Sequence, residues 1–398
     1  MAISLKPSQK TVELVELTRR WSLDVVRPYA READTNEIYP DVPEVIEACP
    51  LDVAPVGFAT LRDDEYVDRA HTLKTDIEFG PNVLSVFMTE PLSQGDSWAW
   101  QMLHGGTVSE DFINLIGTPE QVEKWCTGEH VLTAIAMTED QSGTDLAGIQ
   151  TTAVRDGDEW VLNGKKVFIS NLLECEWIVL LATISPEAGS AGVRAFILDR
   201  DDIAKFDVTT DKEDKIGFRF IRNATFELHD IRIPFDRCVG GPEAPGVAAA
   251  LGVFSKNRAT CAVWGTSIAR GCLGFTEQWI DERAEEYSPA RLTRIRADFA
   301  EMHDTLDDVV RLALKSAWLK DRGENAAATA CEAKAVTPKL AESIVLRCLQ
   351  LVGAEGASER HLLEKWYRDI KMTDAMLGPS QVQRRSVSQM LLRGGAGR

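Results

Sequence analysis

The sequence predicts an α+β protein of several domains: an N-terminal α-helical domain, a central antiparallel β domain and a C-terminal four-helix bundle. Three observations support this fold class. The chain has 398 residues, whereas a single hydrophobic core stops growing at roughly 250 to 300 residues. Its middle third consists of short β-rich runs, and its last third keeps a helical period of apolar residues. We therefore expect domains at residues 1–130, 131–240 and 241–398.

The first third of the chain carries apolar residues at helical spacing in four segments. Acidic residues near the starts of the last two are typical of helix N-termini. The predicted helices are Val12–Glu32, Pro43–Cys49, Asp96–Leu103 and Pro119–Thr127.

The middle third changes to a β pattern. The predicted strands are Thr151–Val154, Glu159–Ile169, Trp177–Ile184, Val193–Leu198 and Ala224–Leu228. Arg155–Asp158 is a turn between the first two, and Asn163-Gly164 marks a second turn inside the next run. Because no helices lie between these runs, and parallel strands need crossover connections, we expect antiparallel pairing.

The helical period returns near Val247 and continues to the end of the chain. The predicted helices are Val247–Tyr287, Ala290–Lys320, Ala326–Val352, Glu359–Asp374 and Gln381–Leu392. Long helices joined by short connections predict a bundle.

Charge and composition exclude several classes of partner. The chain carries 44 basic and 62 acidic residues, a net charge of −18, which disfavours nucleic-acid binding because phosphates require clustered cations. It has no run of about 20 apolar residues and no signal-like start, so we expect no membrane insertion and a cytoplasmic location. The eight cysteines and six histidines lack CxxC and HExxH spacing, so no metal site is expected.

The segment Ala134–Gln150 is the most informative part of the chain. An apolar run ends at Met137-Thr138, and a loop rich in Ser, Gly, Thr and Asp follows. Such a loop offers N–H groups and hydroxyls to a polar ring edge or a pyrophosphate. A plain turn with hydrogen-bonding side chains is the alternative. Glycine-rich phosphate motifs of the GxGxxG and GxxxxGK[ST] types and a GxSxG elbow do not follow any predicted strand.

Three further segments appear in a fixed order after this loop: Asn163–Asn171, Arg368-Asp369 and Gly378–Arg384. The ordered set resembles the acyl-CoA dehydrogenase family of flavoproteins, from about Thr18 to Leu392. The resemblance implies FAD between the β domain and the bundle, an acyl-CoA or other acyl-thioester substrate, and an electron-transfer partner for a dehydrogenase. It also implies a homodimer or homotetramer, or a hetero-oligomer with a catalytic homologue.

The resemblance further implies a set of site residues. Those implied to bind the cofactor within one subunit are Met137, Thr138, Gly143, Thr144, Phe168, Ser170, Pro379 and Gln381. Those implied to reach the FAD of a neighbouring subunit are Arg283, Gln350, Gly353 and Ala354. Those implied to contact the substrate are Thr144, Arg258 and Leu377. Residues expected to line an oligomer interface on the long helix, with burial in the core of one chain as the alternative, are Cys261, Val263, Trp264, Ile268, Cys272, Phe275 and Trp279.

The catalytic base is missing from both positions where the resemblance places it. In the family, a carboxylate removes the α-proton of the thioester while the β-hydrogen leaves as hydride. Leu377 occupies the usual base position and Asn257 the alternative one, and neither side chain has useful basicity. The catalytic base is therefore unknown. Candidates for a relocated base are Glu90, Asp96 and Glu139, and a structural hydrogen-bonding role is the alternative for the last.

Several functions remain open on this basis. The first is FAD-dependent α,β-desaturation of an acyl thioester with a relocated or partner-supplied base. The second is a non-catalytic subunit of a hetero-oligomeric acyl-CoA dehydrogenase. The third is a flavin-dependent monooxygenase of the same fold, and the fourth is a purely binding or structural role. The residues expected either to shape the acyl pocket or, equally, to belong to the core are Trp98, Trp100, Trp264 and Met376.

Overall fold

The structure is a computed structural model, and it describes residues 7–50, 80–104, 107–127 and 131–395. Helices fill its first part: α1 (Gln9–Trp21), α2 (Ala30–Asn36), α3 (Pro43–Glu47), α4 (Pro81–Ser93), α5 (Ser97–His104), α6 (Thr107–Ile116) and α7 (Pro119–Cys126). The predicted helix Val12–Glu32 is interrupted, because Ser22–Val26 form a π-turn and Arg27–Tyr29 a 3-10 turn. Pro28 lies in this interruption and lacks the N–H that an α-helical ladder needs.

The sequence pattern predicts neither α4 nor α6. Helix α4 begins at Pro81, and a side chain from a distant helix caps its first turn: the Asp321 carboxylate accepts hydrogen bonds from the N–H groups of Asn82 and Val83, each at 3.0 Å. A carboxylate at this end satisfies otherwise unpaired N–H groups and complements the helix dipole. Because this cap is a tertiary contact, no local sequence pattern predicts it.

The middle of the chain forms a seven-stranded sheet: β1 (Thr133–Ala136), β2 (Thr152–Asp156), β3 (Glu159–Ser170), β4 (Trp177–Thr183), β5 (Val193–Asp199), β6 (Asp207–Thr210) and β7 (Asn223–Pro234). The strand order is β1-β4-β2-β3-β7-β6, and β5 pairs with β4 outside this path. A single-turn helix, α8 (Arg200–Ile203), follows β5. The sequence pattern misses β6 and predicts only the first half of β7.

The expectation of purely antiparallel pairing is wrong for β1. Thr133–Ala136 runs parallel to β4, and β2 also meets β4 in parallel at Thr152 and Thr183. The crossover that a parallel pair requires is supplied by the intervening β2–β3 hairpin instead of a helix. The sheet is therefore mixed, with antiparallel pairing between β2 and β3, β3 and β7, β4 and β5, and β6 and β7.

The predicted turn at Asn163-Gly164 is a bulge instead. Strand β3 continues through it, and its register against β7 shifts between Leu162 and Gly164. Gly164 has φ +150°, and a Cβ there would lie 2.5 Å from Thr151 Oγ1. Glycine is required at this point because Thr151, the residue before β2, approaches the backbone too closely for any larger residue.

The last part of the chain is helical: α9 (Gly246–Asp281), α10 (Pro289–Asp321), α11 (Ala327–Val352), α12 (Leu363–Ala375) and α13 (Ser380–Gly395). Helices α9, α10, α11 and α13 form the long bundle, and α12 packs against α9 and α11. Helix α9 ends at Asp281 and not at the predicted Tyr287, because Ala284–Glu286 form a separate 3-10 turn. No helix in the described part of the chain has the length and apolar character needed to cross a bilayer.

One hydrophobic core joins the three parts of the fold. Trp21 and Trp98 come from the first helices, Phe218 from the segment before β7, and Trp264 and Trp366 from the bundle; all five are buried in this core. A second core fills one side of the sheet. Apolar packing thus holds the first helices, the sheet and the bundle against one another.

A buried ionic cluster crosses the same junction. The Lys365 ammonium contacts the carboxylates of Asp96 and Asp369, and Asp369 also accepts the N–H of Phe218 at 2.7 Å. Burial lowers the pKa of Lys365, but the two carboxylates outweigh burial and the net pKa is raised. The lysine is therefore charged, and the cluster links the residue before helix α5, helix α12 and the segment before β7.

Candidate active site

A cavity of about 310 Å³ lies between the sheet, the first helices and the bundle. The sheet side, here called the sheet wall, consists of Thr133, Ala134, Ile135, Met137, Thr138, Phe168, Ile169, Ser170 and Asn171. The opposite side, here called the bundle wall, consists of Phe254, Asn257, Thr260, Cys261, Trp264, Met376 and Leu377. Trp100, Gln101, Val108 and Ser109 close the cavity between the two walls. A concave, largely apolar space with a few polar groups is typical of a ligand site.

A buried ion pair holds the loop that follows β1 on the sheet wall. Lys166 Nζ donates to Glu139 Oε1 at 2.7 Å and to the Met137 carbonyl at 3.1 Å. Glu139 also accepts from Thr151 N, Thr151 Oγ1 and Gln150 N at 3.0, 2.6 and 2.7 Å. Both side chains are almost fully buried. These contacts fix Met137 and the residue after it in place, which is a structural role for Glu139.

The pKa values of this pair follow from burial and from the partner's charge. Burial lowers the pKa of Lys166 to about 8, although Glu139 opposes the shift. Burial acts to raise the pKa of Glu139, but Lys166 and the hydrogen bonds outweigh it, so its pKa lies below the usual value. At neutral pH the pair is therefore ionised, and neither side chain lines the cavity.

Phe168 and Ser170 lie side by side on the sheet wall. Phe168 has φ +57° and is 55% exposed, which is unusual for an aromatic residue in a strand. Asn223 Nδ2 donates to the Phe168 carbonyl at 3.0 Å and to Ser170 Oγ at 2.9 Å. The ring therefore stands open to the cavity from a backbone conformation that a neighbouring strand holds.

The turn before helix α13 forms the end of the bundle wall. Leu377 has φ +53°, and its carbonyl accepts from Gln383 Nε2 at 3.1 Å and from Arg258 Nε at 3.5 Å. Arg258 is buried, with its Nη1 3.1 Å from Ser255 Oγ and 3.4 Å from Cys331 Sγ. The guanidinium thus lies behind Leu377 and next to the cavity.

Asn257 lies on helix α9 and lines the cavity at the alternative base position. Its Nδ2 donates to Asp111 Oδ2 at 3.3 Å and to the Val253 carbonyl at 3.1 Å. Asp111 is 1% exposed and comes from helix α6. Sequence reasoning missed Asp111 because it missed α6, and no motif of the chain includes this aspartate. Among the described residues, no carboxylate lines the cavity itself.

The three carboxylates predicted as relocated bases all have structural partners elsewhere. Glu90 forms an ion pair with Arg270, Asp96 forms one with Lys365, and Glu139 is held as described above. None of the three lines the cavity. Each carboxylate instead faces a cation within the protein, and a role as base stays a prediction for all three.

The structure divides the other predicted site residues into two groups. Met137, Thr138, Phe168, Ser170 and Leu377 are brought together around the cavity, and Arg258 adjoins it. Those that do not line it are Gly143, Thr144, Arg283, Gln350, Gly353, Ala354, Pro379 and Gln381. The roles of Arg283, Gln350, Gly353 and Ala354 toward a neighbouring subunit stay predictions.

Burial separates core residues from exposed or cavity-lining residues in two sets of predicted apolar residues. Trp100, Trp264 and Met376 line the cavity, but Trp98 does not: it is fully buried and donates from Nε1 to the Val26 carbonyl at 3.3 Å. The residues of helix α9 that are buried within the chain, and so form no free oligomer face, are Cys261, Val263, Trp264, Ile268 and Cys272. Only the half-buried Phe275 and Trp279 remain for the predicted interface.

The helices, mixed sheet and bundle around this cavity define the acyl-CoA dehydrogenase fold. The structure of butyryl-CoA dehydrogenase from Megasphaera elsdenii matches with a TM-score of 0.84 at 24% sequence identity, covering 98% of this chain and 100% of that one. The predicted multi-domain α+β fold class is thereby confirmed, apart from the parallel pairing of β1.

The chain belongs to the acyl-CoA dehydrogenase family of flavoprotein oxidoreductases. Residues 134–231 match the family's middle domain and residues 244–392 its C-terminal domain. A cyclohex-1-ene-1-carbonyl-CoA dehydrogenase from Geobacter metallireducens is 31% identical over 282 residues, which is 69% of this chain and 73% of that relative. A short-chain-specific acyl-CoA dehydrogenase from Clostridium acetobutylicum is 26% identical over 400 residues, which is 99% of this chain and 100% of that relative. The resemblance inferred from the motifs is confirmed.

Proposed function

We propose that the chain binds FAD in the cavity and oxidises an acyl-CoA thioester by α,β-dehydrogenation. The observation that carries this proposal is the arrangement of the two walls. Met137, Thr138, Phe168 and Ser170 lie together on one side, and Leu377 lies on the other. An acyl thioester between these walls has one face toward the cofactor residues and the other toward the family's base positions.

The sheet wall fits a flavin in three respects. The Phe168 ring is 55% exposed, so a planar ligand that covers it buries apolar surface that the protein alone leaves in water. Ser170 and Thr138 supply hydroxyls beside it, and the ion pair of Lys166 with Glu139 makes the loop rigid. When bound, FAD accepts the hydride that leaves the β-carbon.

The proton of the α-carbon requires an acceptor that the described walls do not contain. Leu377 and Asn257 occupy the two base positions, and Glu90, Asp96 and Glu139 are engaged elsewhere. A carboxylate must therefore come from outside the described walls. The same observation favours a second candidate function: a subunit that binds FAD and thioester within a hetero-oligomer, where a homologous subunit supplies the carboxylate.

An anaerobic titration tests both candidates. The purified chain, loaded with FAD, is mixed with saturated acyl-CoA thioesters of increasing length, and the visible flavin absorption is recorded. Bleaching by thioesters, but not by free CoA, supports the dehydrogenase. Enoyl-CoA in the mixture identifies the product, and transfer of electrons to an electron-transfer flavoprotein completes the assignment.

The other outcomes are equally informative. Bleaching only after co-expression with a homologue that carries the missing glutamate supports the hetero-oligomeric subunit. A chain that binds FAD, does not bleach with any thioester, and consumes oxygen with a flavin reductase contradicts the dehydrogenase in favour of a monooxygenase. A chain that never retains FAD contradicts every flavin-based function.

A further inference from the structure

A second, much smaller polar pocket adjoins the cavity at helix α9. It has a volume of about 10 Å³, and Ser85, Ser255, Asn257, Thr260, Ser316 and Lys320 are among the residues that line it. Asn257 and Thr260 line both spaces. A volume on the order of 10–15 Å³ holds one water-sized group, so this pocket has room for a single oxygen atom next to the acyl site.

The side-chain amide of Asn257 has a defined orientation. Its Nδ2 lies 3.3 Å from a carboxylate oxygen of Asp111 and 3.1 Å from the Val253 carbonyl, and both of these atoms are acceptors only. If the amide were turned over, its oxygen would face two other acceptors, which is unfavourable. The geometry therefore directs Oδ1 away from Asp111 and Val253. Asn257 offers a neutral hydrogen-bond acceptor where the family carries a carboxylate.

Ser85 supplies a hydrogen-bond donor to the same pocket. It lies on helix α4, is 4% exposed, and its Oγ has no hydrogen-bond partner among the described residues. A buried hydroxyl without a partner costs free energy, so such groups in native proteins normally meet a water or a ligand. Ser85 and Asn257 line the same small pocket, and together they offer one donor and one acceptor there.

We propose that this pocket is a subsite for a hydroxyl group carried by the acyl chain of the substrate. The inference rests on the proposed function. A hydroxyl both donates and accepts, so it can donate to Asn257 Oδ1 while it accepts from the Ser85 hydroxyl. Lys320 also lines the pocket, but an ionised carboxylate brings two oxygens where the volume holds one, and it cannot donate to Asn257 Oδ1. Asp111 is then a positioning residue that keeps the amide oxygen available.

Binding of a matched ligand series tests the subsite. S-butyl-CoA and its 2-, 3- and 4-hydroxy derivatives are thioethers, so they lack the carbonyl that acidifies the α-proton and are not dehydrogenated. Calorimetric titration into the FAD-loaded protein should show that one hydroxy isomer binds about tenfold more tightly than S-butyl-CoA, the gain expected when a buried hydroxyl finds its partners.

Two variants separate the subsite from general effects on packing. In Ser85→Ala the ratio of the two affinities should fall to about one, since the hydroxyl has lost one of its partners. Asp111→Asn should also reduce the ratio, because a side-chain amide allows Asn257 to turn over. Ser93→Ala is the control: Ser93 is buried on the same helix, donates to the Thr89 carbonyl at 2.9 Å, and lines neither space. It should leave the ratio unchanged.

Each outcome has a definite meaning. Equal affinities for all four ligands overturn the subsite and leave a bound water as the only occupant of the pocket. A preference for a hydroxy isomer that survives Ser85→Ala overturns it as well. Failure of every CoA ligand to bind contradicts the proposed function itself, which is distinguishable because S-butyl-CoA needs no subsite.

Discussion

The two walls of the cavity differ in how closely they follow the family resemblance. The sheet wall brings Met137, Thr138, Phe168 and Ser170 together, and a buried ion pair holds its loop. The bundle wall has Leu377 and Asn257 at the positions where the resemblance places a carboxylate. The surface suited to a cofactor and the group that accepts a proton are therefore separate features of this fold. The proton acceptor can be lost while the cofactor surface is kept.

The bundle wall nevertheless has a defined backbone conformation at the cavity, as the sheet wall does. Leu377 has φ +53° and Phe168 on the opposite wall has φ +57°. A left-handed backbone costs a residue other than glycine roughly 1–2 kcal/mol. It persists only where the surroundings determine it. Side-chain amides bind both carbonyls, Gln383 at Leu377 and Asn223 at Phe168. Both walls therefore keep a strained residue at the cavity, and only the proton acceptor is missing from one of them.

The largest expected effect comes from returning a carboxylate to the bundle wall. Leu377→Glu should raise the rate of flavin bleaching by acyl-CoA by about 10²- to 10⁴-fold, the usual contribution of a positioned general base. Leu377→Gln, with the same shape and no basicity, is the control. Single-turnover stopped-flow kinetics measure the rate.

A carboxylate at the alternative base position, Asn257, should increase the bleaching rate by a smaller factor. In Asn257→Glu the new carboxylate would lie beside Asp111, which contacts the present amide at 3.3 Å, and two like charges at this separation disfavour ionisation of one of them. Equal rates for Leu377→Glu and Leu377→Gln, in folded protein that retains FAD, would show that the missing base is not what distinguishes the two walls.

The next largest effect concerns the sheet wall. Lys166→Met leaves the Glu139 carboxylate buried without its cation, which should lower the free energy of unfolding by about 3–5 kcal/mol. Lys165→Met is a matched control one residue away, because the ion pair of Lys165 with Asp140 is exposed. Exposed pairs contribute only about 0–1 kcal/mol. Chemical denaturation measures both, and equal losses would contradict a structural role for the buried pair.

The sequence predicts the order of helices and strands well, because that order follows from local periodicity. Prediction from the sequence fails where contacts between distant parts of the chain determine an element or its pairing. Helix α4 depends on a cap from Asp321, and the parallel pairing of β1 depends on β4, which lies beyond a whole hairpin. Lys166 and Asp96 are ordinary charged residues in the sequence, and only the fold shows that each is buried against an opposite charge.

The candidate site also has one part that the sequence predicts and one part that it does not. Its sheet wall is predictable because its residues belong to continuous motifs, such as Met137-Thr138 and the segment around Phe168. The polar pocket behind Asn257 is not predictable, because Ser85 and Asp111 come from helices α4 and α6 and belong to no motif. Three-dimensional proximity alone connects them with the base position.

A third prediction concerns an ion pair that joins the first helices to helix α12. The Asp34 carboxylate, 4% exposed at the side chain, binds Arg368, which also donates to the Ile216 carbonyl at 3.1 Å in the sheet part of the chain. Burial acts to raise the pKa of Asp34, but the bonds to Arg368 outweigh it, so its pKa is lowered. Asp34→Asn should lower the free energy of unfolding by about 1.5–3 kcal/mol at neutral pH.

The pH dependence of this effect has a definite sign. A carboxyl with a depressed folded-state pKa contributes its full stability above the unfolded-state value, near 3.9 for Asp. That contribution is lost as the pH falls through the lowered folded-state pKa. The difference between wild type and Asp34→Asn should therefore shrink below about pH 4. Asp41→Asn, at an exposed position, is the control, and a difference that grows in acid would contradict the ion pair as the cause.

The smallest effect addresses the exposed ring on the sheet wall. Phe168 is 55% exposed, so Phe168→Ala should change the stability of the FAD-free protein by less than about 1 kcal/mol. FAD should bind about tenfold more weakly, since the ring would lose its contact with a planar partner. Phe168→Trp should restore the affinity. Val154→Ala is the control, because Val154 is a comparably exposed apolar residue of the same sheet that lies outside the cavity. If FAD bound equally well to Phe168→Ala and to wild type, the sheet wall would not be a cofactor surface, and the contrast between the two walls would disappear.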